Sequence, residues 1–130
     1  RLLSGAMRTR PVIVSIDDDV DGGDARVTVR LDWDHRSWHG HAIGATDERV
    51  RLAGEAALDA VTHIVDGAID LELLAVATAD LGAVSVALAQ VRYDGGDVLV
   101  GSALQGETDG RLAAVRAVMD AINRRLELIL

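Results

Sequence analysis

The sequence predicts an α+β fold made of duplicated βββα units packed about a pseudo-twofold axis, with a homodimer expected. Three observations carry that expectation. In residues 25–33, Val27, Val29, Leu31 and Trp33 alternate with Arg26, Thr28, Arg30 and Asp32, the period of a strand with one wet face. Val50, Ala53, Ala57, Val61 and Ile64 recur at helical spacing, as do Leu112, Val115, Met119, Ile122 and Leu126. A shift of 61 residues lays Gly40-His41-Ala42 on Gly101-Ser102-Ala103 and Leu58-Asp59-Ala60-Val61 on Met119-Asp120-Ala121-Ile122 without a gap. A register kept across strand, loop and helix marks an internal repeat.

The elements follow in order. Residues 11–16 are rich in β-branched side chains and read as a strand running into an acidic turn at 17–24. Residues 25–33 form the next strand, Asp34-His35-Arg36 turns the chain, and 37–45 return as the third. Thr46 or Asp47 can cap a helix that runs to about Asp66, with Gly67 as its stop and Leu58 and Val65 beside its apolar stripe. In the second half, 69–79 and 83–93 read as strands, with Val84, Val86 and Leu88 as counterparts of Val27, Val29 and Leu31. Asp94-Gly95-Gly96-Asp97 is a hairpin turn, because its glycines supply positive φ. Residues 98–104 return, and Thr108 caps the last helix. Residues 1–10 read as a flexible N-terminal extension or the remnant of a longer polypeptide, and 11–130 as one domain with units 11–67 and 68–130. Each unit leaves one sheet face and one helix stripe apolar, and packing the units together buries both.

Composition removes several kinds of chemistry. The chain has 130 residues, 49% hydrophobic and 26% charged, enough to bury a core. All 13 cations are arginine, set against 21 acids for a net charge of −8. Without lysine there is no Schiff base and no P-loop lysine. Without cysteine there is no disulfide or thiolate, and a reducing, cytoplasmic setting is expected. An acidic chain with two Trp, one Tyr and no Phe lacks the cationic stacking surface that nucleic acids require. No apolar run is long enough for a membrane span.

Leu81-Gly82-Ala83-Val84-Ser85-Val86, Arg92-Tyr93-Asp94-Gly95, Gly101-Ser102-Ala103 and the helix end Met119-Asp120-Ala121-Ile122-Asn123-Arg124-Arg125-Leu126 share one resemblance. They look like the C-terminal regulatory domain of α-isopropylmalate synthase and its citramalate synthase relatives. The resemblance covers about half of the chain in sequence and nearly all of it in element order. It implies a non-catalytic, homodimeric regulatory domain that binds an end-product amino acid or related carboxylate between its units. A catalytic domain, fused or separate, is the implied partner. The family's glycine-rich loop, G-x-G-[ND]-G-P, is replaced here by Gly40-His41-Ala42-Ile43-Gly44-Ala45-Thr46-Asp47-Glu48.

The expected ligand-binding residues are Gly40, His41, Ala42, Gly101, Ser102 and Ala103. Each trio ends a strand and leads toward a helix N-terminus, where N–H groups and the helix dipole favour an anion and small side chains leave room for it. The other physical reading of the same glycines and alanines is close helix–sheet packing. A structural self-association domain without a ligand is therefore the alternative function. Asp17-x-Asp19-x-Asp21-Gly22 opens like a calcium loop, but Thr28 stands where the bidentate glutamate belongs, so a solvated acidic turn is expected. His35, His39 and His41 lie near Asp34 without a third aligned ligand, and no metal or cofactor is expected. His63 reads as a partly buried helix residue, and Trp33 and Trp38 as core or interface anchors. Ser4, Ser15, Ser37, Ser85 and Ser102 fit no nucleophile elbow, and no catalytic residue is assigned.

Overall fold

The computed structural model describes residues 10–106 and 110–130. Its elements are β1 (Val12–Asp21), β2 (Asp24–Trp33), β3 (Arg36–Ala45), α1 (Arg49–Ile64), β4 (Leu71–Leu81), β5 (Val84–Tyr93), β6 (Val98–Leu104) and α2 (Gly110–Glu127). The order is βββα twice, as the repeat predicts. Each unit forms its own antiparallel sheet, β1-β2-β3 and β4-β5-β6, with the hairpin-connected strands adjacent. The helices lie between the sheets: α1 packs on β2 and β3, α2 packs on β5 and β6, and α1 also touches α2 and β4.

Local chemistry explains most of the boundaries. Asp34 and His35 both take positive φ in the two-residue turn between Trp33 and Arg36, the geometry that matches strand twist. Asp94 and Gly95 do the same in the second unit. Asp66 and Gly67 enter the left-handed region after α1, and the Gly67 N–H returns to the Thr62 carbonyl at 2.9 Å, so the expected stop is where the helix ends. The expected cap differs. Thr46 opens a short 3-10 turn and pairs with the Gly22–Gly23 hairpin instead of capping α1. Thr108 lies outside the described residues.

Two features of the sheets depart from the sequence reading. β1 continues through the acidic cluster and turns only at Gly22-Gly23, because its residues pair with β2 as far as Asp21 opposite Asp24. Asp17 and Asp19 share one sheet face while Asp18 takes the other, so the acids do not wrap a calcium loop. In β5 the buried residues are Ala87, Ala89 and Val91, and Val84 and Leu88 are exposed. Val29 pairs with Gly40 and Ala89 pairs with Gly101, so Ala89 is the true counterpart of Val29. The face expected to be buried in β5 is the outer one. Both faces of that strand are apolar, and a period of two cannot choose between them.

The core joins both units. Val27, Val29 and Leu31 of the first sheet and Val91 of the second enclose Val61, Val115, Val118, Ile122 and Leu126 from the helices. Alanine dominates the inner helix surfaces, with Ala53, Ala56, Ala57 and Ala60 in α1 and Ala113, Ala114, Ala117 and Ala121 in α2 fully or nearly fully buried. Small side chains let helix and sheet backbones approach closely, which raises packing density without large residues.

Candidate functional site

Gly40 and Gly101 sit at equivalent points on the inner faces of β3 and β6. A Cβ built on Gly40 would lie 2.0 Å from the Ala56 carbonyl oxygen and 2.3 Å from the Ala60 nitrogen. On Gly101 it would lie 2.1 Å from the Ala117 oxygen and 2.3 Å from the Ala121 nitrogen. Helix backbone therefore fills the space that the missing side chains leave. The neighbouring N–H groups are also taken. His41 donates its backbone N–H to Asp59 Oδ2 at 2.9 Å, and Ser102 donates to Asp120 Oδ2 at 2.9 Å. β3 and β6 run on to Ala45 and Leu104, so neither trio reaches a helix N-terminus. This corrects the expected anion cradle at Gly40, His41, Gly101 and Ser102: the glycine seats a helix, and the helix supplies its own carboxylate.

The same latch is thus built twice, from Gly40 with Asp59 and from Gly101 with Asp120. It also satisfies an outward N–H on each sheet edge. Asp59→Ala or Asp120→Ala should each cost about 1 kcal/mol in urea unfolding, since water can reach the released donor. An effect equal to a buried-charge loss would show that the latch is drier than its geometry indicates.

A different region offers space. A groove between β1 and α2 joins the two units, its walls being Ile13 and Ile16 on one side and Leu112, Arg116, Met119 and Asn123 on the other. Its two sections hold about 340 and 450 Å3, and Ser102 and Ala103 border the larger one. Of the six expected site residues, these two lie beside open volume. Ala42 is half-buried in the layer packed against the core. A counterpart groove of about 530 Å3 lies between β4 and α1, lined by Arg51, Glu55, Leu58, Thr62 and Leu71, although β4 packs on α1 more extensively than β1 does on α2 and Arg51 Nη2 donates to the Leu73 carbonyl at 2.8 Å.

The groove carries charge and an unmet polar atom. Arg116 is exposed and pairs with no acid among the described residues. Asn123 Oδ1 is buried without a hydrogen-bond donor. At the far end, Asp18 points inward with its side chain 10% exposed, ion-paired to Arg111 of α2 and, at 3.5 Å, to Arg49 of α1. Asp18 Oδ1 has no donor. Asp18 and Arg111 therefore bridge the two units, and β1's inward alternation from Ile16 was the sequence signal for it.

The remaining candidates resolve simply. His39 and His41 share the outer face of the first sheet, where His41 Nδ1 meets Thr28 Oγ1 at 2.9 Å. His63 is exposed and bonds the His39 carbonyl through Nδ1 at 2.9 Å. Among the described residues no three His or acidic side chains could hold a metal ion. Trp33 and Trp38 are half-buried against the core edge, with Trp38 Nε1 donating to the Trp33 carbonyl at 3.2 Å and Arg36 stacked 4.6 Å above the Trp38 ring. Among the described residues no helix is long and apolar enough to cross a membrane. Compared with known family models and with curated proteins, the chain matches none.

Proposed function

We propose that this chain is a non-catalytic regulatory module that binds a small amino-acid-like carboxylate in the groove between its two units. The observation that carries this reading is Arg116, a cation without an acidic partner among the described residues, beside an apolar wall of Ile13, Ile16, Leu112 and Met119. Such a pairing of guanidinium and aliphatic surface suits a carboxylate with a short apolar tail. The resemblance to the isopropylmalate and citramalate synthase regulatory domain agrees with a ligand between the units and with a catalytic domain, fused or separate, as the recipient of the signal. A cysteine-free chain fits a reducing, cytoplasmic setting.

The mechanism follows from position. A ligand held by Arg116 and the β1 wall touches both units, so it favours the arrangement in which β1 lies closer to α2. Its leverage is limited to its differential affinity for the two arrangements. The second reading, a structural self-association domain without a ligand, is favoured by the closed latches at Gly40 and Gly101.

A thermal-shift screen separates the two. Branched-chain amino acids, other amino acids and 2-oxo acids are tested at about millimolar concentration, and a selective rise of several degrees is expected, scaling with the logarithm of ligand concentration. Arg116→Ala should abolish the rise while leaving the unliganded Tm within about 1 °C, because the side chain is exposed. A flat screen leaves the structural reading.

A further inference from the structure

We propose that the outer face of the second sheet is a self-association surface on which a second copy of this chain docks face to face. The two sheets share strand order and pairing, yet their outer faces differ in chemistry. On the first, β2 presents Arg26, Thr28, Arg30 and Asp32. On the second, β5 presents Val84, Val86 and Leu88. β6 adds Val98, Val100 and Leu104, the last two 64% exposed, and β4 adds a row of exposed alanines ending in Leu81, which is 70% exposed. The first sheet folds with a charged outer face, so the βββα plan does not itself require an apolar one. Gln90 of β5 and Ser102 of β6 also lie on this face, and the apolar field around them marks a contact surface.

Shape and charge single out a second copy as the occupant. Ala75, Ala77 and Ala79 on β4 make a shallow row, and Val98, Val100 and Leu104 on β6 make a raised one, with β5 between them. A twofold axis running along β5 sets the shallow row of each copy under the raised row of the other. The surface is then complementary to itself, as an isologous interface must be. Two sheets can close to about 10 Å in this way, as in a β-sandwich. The face is three strands wide and covers roughly 400 Å2, so pairing two copies buries about 800 Å2, the size of a weak, reversible interface. Its charge is confined to one end, where Arg92 meets Glu72 at 3.7 Å, so it has no field to select an oppositely charged partner. The inference adds the surface and the axis to the expected homodimer and does not depend on the groove binding a ligand.

The experiment is light scattering and sedimentation of the full chain from about 1 to 200 µM, at low and high salt. A dimer with a micromolar dissociation constant is expected. Salt should tighten it, because each copy carries a net charge of −8 and the contact itself is apolar. Leu88→Arg and Val100→Asp should each be monomeric throughout, with circular dichroism unchanged. Ile43→Asp, on the exposed outer face of the first sheet, should dimerise like the wild type. If either charged variant loses its fold, Val100→Thr must still weaken pairing measurably. A wild-type monomer at the highest concentration, a dimer that salt dissolves, or folded Leu88→Arg and Val100→Asp variants that still dimerise overturns the proposal. A flat ligand screen leaves it untouched.

Discussion

Gly40→Ala and Gly101→Ala should each destabilise the fold by about 3 kcal/mol or more, lowering Tm by about 10 °C. The added methyl at Gly40 would stand 2.0 Å from a carbonyl oxygen and 2.3 Å from an amide nitrogen of α1. Those atoms belong to helix backbone and cannot rotate away as a side chain does, so the helix itself must lift from the sheet. Lifting it also stretches the 2.9 Å bond between His41 and Asp59. Gly44→Ala is the informative control. There the nearest atom is Leu52 Cδ2 at 2.9 Å, the end of a flexible side chain, and a cost of about 1 kcal/mol is expected. Urea unfolding at one fixed protein concentration measures all three. A mild Gly40→Ala would mean that α1 is free to shift along β3, and the latch would lose its meaning.

Arg111→Ala should cost about 2 kcal/mol, and Asp18→Ala about 1 kcal/mol or less. The asymmetry comes from burial. Asp18 is 10% exposed, whereas Arg111 and Arg49 are 27% and 45% exposed. Removing Arg111 strands a carboxylate in the interior with only Arg49, 3.5 Å away, and with Oδ1 still lacking a donor. Removing Asp18 strands no buried charge, since both guanidinium groups are partly exposed, and it removes the unmet acceptor as well. The double variant should therefore cost less than the sum of the two losses. A double-mutant cycle reads this directly. Additive losses would show that Asp18 and Arg111 do not act as the bridge between units.

Much of the fold was legible in the residues. The alternation of Val27, Val29 and Leu31, the helical stripes and the Gly67 stop depend on local geometry, which neighbouring residues largely set. The 61-residue register also pairs Asp59 with Asp120 and Gly40 with Gly101. Their joint role was hidden because a latch needs a helix and a strand brought together across intervening turns. The site was less legible. Arg116 and Asn123 matter through their distance from β1, and no spacing along α2 records that distance.

The sequence by itself determined the element order, the duplication and the turns, because hydrophobic period and turn chemistry act over a few residues. Tertiary structure alone decided three things: which face of β5 lies inside, that helix backbone occupies the glycine space, and that β1 packs less extensively on α2 than β4 does on α1. Each depends on how two nearly equivalent apolar surfaces share a single core. In β5, where Val84, Val86 and Leu88 compete with Ala87, Ala89 and Val91, the smaller set is buried. Ala89 pairs with Gly101, over which the α2 backbone lies, and that approach leaves little depth beneath the sheet for larger side chains.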